Sequence, residues 1–126
     1  MTPLGNLIDS IAEDGAGRWS VNASEDWRQG RTLYGGVSAG LCFAACEKLV
    51  PDLPPLRSAQ IAFIGPSGGE ATLVPTVLRR GKSIILMAVL FVKSQCTSFP
   101  DHFALSWKRY LVLISKVIYA LFVVIA

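Results

Sequence analysis

The sequence has 126 residues, of which 52% are apolar and 17% are charged. This length suits one compact domain, and this composition excludes a disordered or fibrous protein. The formal net charge of +3 comes from residues 83–126, which hold four bases and one acid, whereas residues 1–82 hold eight of each. Because neither part clusters Lys and Arg with interleaved aromatic residues, we expect no nucleic-acid partner.

The cysteines and the N-terminus indicate the compartment. Cys42, Cys46 and Cys96 are odd in number and form no Cys-x-x-Cys pair, so we predict reduced, buried thiols of an intracellular protein. The first sixteen residues include three acids and no long apolar stretch, so no targeting signal is predicted and the cytoplasm is the expected location. No three or four ligand-type side chains are grouped as zinc requires, so we expect neither a metal nor a cofactor.

The first half of the chain predicts two helices separated by a strand. Residues 3–13 place Leu and Ile on one helical face before two glycines stop the helix. Residues 19–22 alternate as a strand does, and the polar residues 26–31 indicate a turn. Residues 37–50 are apolar or small on almost every face, which predicts a buried helix that a sheet can approach closely.

The second half changes to the period of strands. After a proline-rich linker, two polar, glycine-containing turns separate three apolar or alternating segments, at residues 56–64, 70–78 and 84–92. The order of elements is therefore a short helix, a strand, a long buried helix and three strands. We predict an α+β fold in which an antiparallel sheet wraps round one central helix.

Three motifs in this order carry a resemblance to a known family. They are Gly30–Gly36 (GRTLYGG), Phe63–Gly68 (FIGPSG) and Leu78–Ser83 (LRRGKS). Together they cover roughly residues 17–84 and resemble the first hot-dog repeat of acyl-CoA thioesterases, in the thioesterase II branch whose members carry two hot dogs in tandem. The resemblance implies a hot-dog fold, a fatty acyl-CoA ligand, and hydrolysis of a thioester by an activated water.

The resemblance also implies the binding residues. Tyr34, Gly35 and Gly36 match the family's aromatic-Gly-Gly at the start of the helix, where a backbone N–H can face the thioester oxygen. A helix N-terminus stabilises negative charge, which agrees with that role. The alternative is a tight strand-to-helix turn that binds nothing.

The basic turn offers a second candidate contact with the ligand. The charges of the turn can pair with the phosphates of CoA, and the residues that carry them are Arg79, Arg80 and Lys82. The alternative is a solvated hairpin turn that binds nothing.

The sequence departs from the family pattern in two respects. Val37 replaces the Gln that often follows the glycine pair, and the water-activating residues of the second repeat are absent. We therefore assign no catalytic residue beyond the candidate Glu70, since Glu47 lies too far along the helix and His102 lies outside the matched segment. The alternative to a hydrolase is a non-catalytic acyl-CoA-binding or pairing subunit.

The C-terminal segment defines a second region. We divide the chain into a thioesterase-like domain, residues 1–92, and a divergent apolar tail, residues 93–126, so that the hot dog is incomplete or altered at its C-terminus. The tail's many β-branched residues suit a strand, residues 107–126 also suit a membrane-anchoring helix, and an aggregation-prone end is the third alternative. Because a lone hot dog leaves exposed sheet edges, we expect a homo-oligomer.

Overall fold

The secondary structure is known for residues 1–63, 65–93 and 118–125, which the computed structural model describes. The elements in chain order are α1 (Leu4–Asp9), β1 (Ala12–Glu13), β2 (Trp19–Ala23), a 3-10 turn (Glu25–Trp27), β3 (Arg28–Gln29), β4 (Thr32–Leu33), α2 (Gly35–Leu49), β5 (Ser58–Phe63), β6 (Gly69–Arg80), β7 (Ile85–Lys93) and β8 (Ile118–Ile125).

The predicted helices and strands are confirmed, with changes at two places. The first helix ends at Asp9, because Ala12–Glu13 pairs with β2 and its backbone is committed to the sheet. The two glycines between these strands, Gly15 and Gly17, both have positive φ angles (87° and 70°), a backbone conformation that favours glycine. The predicted polar turn at 26–31 includes the strand β3, which pairs with β4 just after it to form a small two-stranded ribbon.

The order of the strands in the sheet differs from their order along the chain. Six of the described strands form one antiparallel sheet with the order β1-β2-β6-β7-β8-β5. β5 and β6 are consecutive in sequence, yet β7 and β8 lie between them. β8 therefore joins β5 to the rest of the sheet, with Ser58 opposite Ile125 and Phe63 opposite Ala120.

The helix α2 covers one face of this sheet. Alternate residues of β6 and β7 are buried and join the same apolar core as α2. Fully buried members include Leu41, Ala45 and Cys46 of the helix and Leu73, Met87 and Phe91 of the strands. The predicted buried helix against an antiparallel sheet is thus confirmed. Its burial is expected, because a helix that is apolar on most faces is stable only when other elements enclose it.

Residues of the predicted tail lie partly within this sheet. Ile118–Ile125 form β8, whereas residues 94–117 and Ala126, with most of the proposed membrane segment 107–126, lie outside the described residues. Among the helices that the structure describes, none has the length and apolar character needed to cross a membrane.

Candidate functional site

Two backbone hydrogen bonds fix the start of α2 to neighbouring segments. The N–H of Leu33 donates to the carbonyl oxygen of Ser67 at 2.6 Å, and the N–H of Tyr34 donates to that of Trp27 at 3.0 Å. Tyr34 is the N-cap residue, with φ −57° and ψ 130°, and its side chain forms no capping hydrogen bond with the described residues. The segment that leads into α2 is therefore held by the 3-10 turn and by the turn before β6.

The first turn of α2 leaves two backbone N–H groups available. Val37 and Ser38 donate their N–H groups to the carbonyl oxygen of Tyr34 at 3.0 and 3.1 Å. For the N–H groups of Gly35 and Gly36, the described part of the chain provides no acceptor. Because the helix dipole adds partial positive charge at this end, the two groups can bind an oxygen that carries negative charge.

The two glycines are not needed for the backbone conformation of the turn. Both lie in the helix, and neither is among the glycines with a positive φ angle. A Cβ atom at Gly36 would meet only the Tyr34 ring, with its Cε1 at 3.5 Å, which is an ordinary contact. The absence of side chains here leaves the backbone open to close approach by another molecule.

Two aromatic rings flank these glycines. Tyr34 is 56% exposed and Phe63, the last residue of β5, is 54% exposed. The Cζ atom of Phe63 lies 3.1 Å from the position that a Cβ at Gly35 would take, so the ring rests against the helix backbone. Phe63 belongs to a sequence motif, but its contact with Gly35 was not predicted, because a contact across 28 residues depends on strand pairing.

The turn before β6 holds a second residue that the sequence analysis missed. Ser67 is 1% exposed, and its Oγ atom has no hydrogen-bond partner among the residues that the structure describes. Its N–H donates to Oγ1 of Thr32 at 3.3 Å, so this serine is bonded through its backbone to the strand that leads into α2. No pattern in the sequence distinguishes it from an ordinary turn serine.

The basic residues lie at the other end of the helix. Nη2 of Arg80 forms an exposed ion pair with Oδ2 of Asp52 at 2.6 Å, just beyond the C-terminal end of α2. Arg79 and Lys82 are also exposed, near the turn between β6 and β7. Since a helix of 15 residues spans about 22 Å, the structure does not bring these side chains next to Tyr34, Gly35 and Gly36.

The acidic candidates are also separated from the helix N-terminus. Glu70 is exposed, and it alternates along β6 with Ala71, which faces the core, so its side chain lies on the sheet face opposite α2. Glu47 is exposed near the C-terminal end of α2. His102 lies outside the described residues.

The cysteines of α2 belong to the core, as predicted. Cys42 and Cys46 are free and buried. Burial, with a smaller effect of Glu47, raises the pKa of Cys46 to about 12, and burial together with the neighbouring Cys46 raises the pKa of Cys42 further. Such thiols are poor nucleophiles. Cys96 is not among the residues that the structure describes.

Comparison with protein families gives one match, which includes the first turn of α2. The family model described as the acyl-CoA thioesterase N-terminal domain matches residues 23–100. None of the curated proteins matches the chain significantly.

Solved structures share the fold at low sequence identity. A candidate thioesterase II from Thermobifida fusca has a TM-score of 0.71 and 16% identity over 100% of this chain and 39% of its own. A Bacillus halodurans protein solved with CoA has a TM-score of 0.69 and 17% identity over 99% of this chain and 74% of its own. A hot-dog protein from Alicyclobacillus acidocaldarius has a TM-score of 0.70 and 10% identity over 99% of this chain and 39% of its own. The chain thus has a hot-dog fold and spans about two fifths of the length of two of these proteins.

Proposed function

Because the chain belongs to the acyl-CoA thioesterase N-terminal domain family, we propose that it binds fatty acyl-CoA thioesters at the N-terminus of α2. The predicted resemblance to the acyl-CoA thioesterase family is confirmed by the family match, and the predicted hot-dog fold is confirmed by the solved structures. The tandem arrangement of two hot dogs stays a prediction.

The availability of two N–H groups supports this position most strongly. The thioester carbonyl oxygen accepts hydrogen bonds from Gly35 and Gly36, whose N–H groups have no acceptor within the described residues. An uncharged thioester oxygen gains from these donors, and the negatively charged oxygen of a tetrahedral intermediate gains more. Neither glycine carries a side chain that would hold the ligand away from the backbone.

Hydrolysis at this position would consume one water molecule. The water oxygen bonds to the thioester carbon as a base takes one of its protons, and the negative charge moves to the carbonyl oxygen. The C–S bond then breaks, the thiolate of CoA takes up a proton, and the carboxylic acid is released. The N–H groups of Gly35 and Gly36 stabilise the charged oxygen in this sequence, and the proton goes to a base that must be brought to this position.

Non-catalytic binding is the second candidate function, and the positions of the acidic residues favour it. Glu70 lies on the opposite face of the sheet, and Glu47 lies near the far end of α2. Neither carboxylate is next to the proposed oxygen site. In this reading the chain binds acyl-CoA or pairs with another subunit, and a second hot-dog unit supplies the residues that activate water.

The CoA portion of the ligand has its own candidate contacts. Arg79, Arg80 and Lys82 attract the phosphates of CoA from the far end of α2, where all three are exposed. The Bacillus halodurans protein of similar fold, which was solved with CoA, supports CoA as the ligand class.

The edges of the sheet suit association with another hot dog. β5 ends the sheet on one side, and most of its residues are exposed on both faces. An edge of this kind pairs readily with another chain, so we expect a homo-oligomer. Its expected location is the cytoplasm. Anchoring to a membrane through residues 107–126 is the alternative.

Titration of the purified full chain tests the proposed function. Octanoyl-CoA should bind with saturation, as measured by calorimetry, and release of free thiol should be slow or absent. If neither octanoyl-CoA nor free CoA binds, the proposed function is wrong. If the wild type releases thiol rapidly and Glu70→Gln does not, the chain is a hydrolase and the non-catalytic reading is excluded.

A further inference from the structure

We propose that the hairpin between β6 and β7 docks on the surface of an anionic lipid bilayer. The hairpin tip is the segment 77–84 (VLRRGKSI), whose residues are all exposed. This inference does not depend on the proposed function, because a lipid vesicle contains no CoA. It also differs from anchoring through residues 107–126, because docking on a surface needs no spanning segment.

Three large apolar side chains of the hairpin tip are in contact with solvent. Val77 is 37% exposed, Leu78 is 55% exposed and Ile84 is 44% exposed. Single apolar side chains are common on a protein surface, but a group of them in one short segment marks a contact surface. Because removing such side chains from water lowers the free energy, the hairpin tip favours a partner with an apolar phase.

The backbone of the hairpin tip combines a closed turn with a bulge. The N–H of Gly81 donates to the carbonyl oxygen of Ile84 at 2.8 Å, which closes the turn. The pairing of β6 with β7 shifts register between Val77 and Arg79, which makes Leu78 the extra residue of a bulge. A bulge turns its side chains away from the regular direction of the sheet. The most exposed apolar side chain of the tip therefore belongs to this irregularity.

The charges of the hairpin tip are all positive. Its charged residues are Arg79, Arg80 and Lys82, and positions 77–84 include no acid. Arg80 pairs with Asp52 at 2.6 Å, which attaches the hairpin to the segment after α2. Arg79 and Lys82 form no ion pair with any residue that the structure describes. Their two charges are therefore available to attract an anionic surface.

The combination of bases and apolar side chains identifies the partner. A phosphate group in solution pairs with the bases but leaves the apolar side chains in water. A bilayer that contains anionic lipids supplies both contacts, because its headgroups carry negative charge and its acyl chains lie directly beneath them. The apolar side chains then enter the boundary between headgroups and acyl chains, while the bases bind the headgroups.

Flotation of the purified full chain with lipid vesicles tests the docking. Binding to phosphatidylcholine vesicles with about 30% phosphatidylserine should be about tenfold stronger than binding to phosphatidylcholine alone. Because salt screens the charges, this preference should largely disappear in about 0.5 M salt.

Substitutions in the hairpin tip separate its two kinds of contact. Leu78→Ala should weaken binding to anionic vesicles about fivefold, and combining it with Ile84→Ala should weaken binding about 20-fold. Lys82→Glu should weaken binding to anionic vesicles about 20-fold and leave binding to phosphatidylcholine within about twofold. Since these side chains are exposed, each variant should melt within about 2 °C of the wild type.

Leu4→Ala is the matched control for the apolar substitutions. Leu4 is 38% exposed and belongs to α1, outside the hairpin tip. Its replacement removes the same atoms as Leu78→Ala and should leave vesicle binding within about twofold of the wild type. An equal loss in both variants would show that the contact is not specific to the tip, and the inference would fail.

The remaining outcomes each decide one part of the proposal. Equal binding to anionic and neutral vesicles overturns the role of the bases. Unchanged binding in the double variant of Leu78 and Ile84 overturns docking through the hairpin tip and assigns the contact to another segment. Absence of binding to every vesicle overturns the proposal as a whole. None of these results uses CoA, so the proposed function stands or fails separately.

Discussion

The first turn and the middle of α2 both contain small residues, but the structure gives these residues different roles. In the middle, Ala44, Ala45 and Cys46 are buried against the sheet, and their size sets how closely the helix and sheet approach. At the start, Gly36 is exposed and Gly35 half-buried, and a Cβ at either position would meet only aromatic side chains of the described residues. Small side chains serve core packing in one region and access to the backbone in the other.

The two regions of α2 should therefore affect different quantities, the free energy of unfolding in the middle and ligand affinity at the first turn. Substitutions in the middle should change the free energy of unfolding, because every added atom displaces a packed neighbour. Substitutions at the first turn should change affinity for a ligand, because an added atom there meets an exposed aromatic ring or solvent.

The chemical reactivity of the thiols gives the largest expected effect. The pKa of Cys46 is raised from 9.0 to about 12 by burial, so its thiolate fraction at pH 8 falls about 1000-fold. Iodoacetamide should therefore label the native chain far more slowly than the chain in guanidinium chloride. A Cys96→Ser background restricts the measurement to the two helix thiols, and native labelling at the denatured rate would contradict their burial.

The same pKa shift predicts how stability depends on pH. The unfolded chain releases the Cys46 proton near pH 9, whereas the folded chain retains it until about pH 12. Stability should thus be complete below pH 9 and fall as the pH rises from 9 toward 12. Denaturant melts of Cys46→Ala and the wild type across this range would isolate the contribution of Cys46.

Gly36→Val tests the first turn and should give the next largest effect. The isopropyl group would cover the N–H groups, so octanoyl-CoA affinity should fall about 100-fold, the scale of losing an oxyanion donor. The melting temperature should stay close to that of the wild type, because Gly36 has no positive φ angle and the new Cβ makes only an ordinary contact.

Gly40→Val is the matched control for that variant. Gly40 lies one turn further along α2, and a Cβ there would meet nothing within 4 Å. Its affinity should remain within about twofold of the wild type. If Gly36→Val unfolds the domain, or binds normally while folded, the first turn is structural and the comparison of the two regions fails.

Ala45→Leu tests the middle of the helix. Ala45 is fully buried, so three extra carbon atoms should cost about 2 kcal/mol by overpacking, a change of about 30-fold in the folding equilibrium. The expected fall in melting temperature is about 8 °C. Glu47→Leu introduces the same side chain at an exposed position of α2 and should melt near the wild type. Equal melting of both variants would show that the helix is not closely packed.

The local structure could be read from the sequence, whereas the assembly of the sheet could not. The small, apolar run at 37–50 predicts α2 because its pattern is carried by neighbouring residues. The contact of Phe63 with Gly35 depends on β8 placing β5 in the sheet, and periodicity in one strand holds no information about its partner. For the same reason, the sequence offers Glu70 as a candidate base but does not show that its side chain lies on the sheet face opposite α2.

Replacing Arg79 should give the smallest effect and complete the division of the ligand into two portions. Arg79 is exposed and remote from the first turn, so its contact with a phosphate is screened by salt and should be worth about threefold in affinity at low ionic strength. The loss in Arg79→Ala should be equal for free CoA and octanoyl-CoA and should vanish in about 0.5 M salt. Arg80→Ala is the comparison, since its guanidinium already pairs with Asp52 and should contribute less. A loss confined to octanoyl-CoA would place the acyl chain, and not CoA, at this end of the helix, and the orientation proposed for the ligand would have to be reversed.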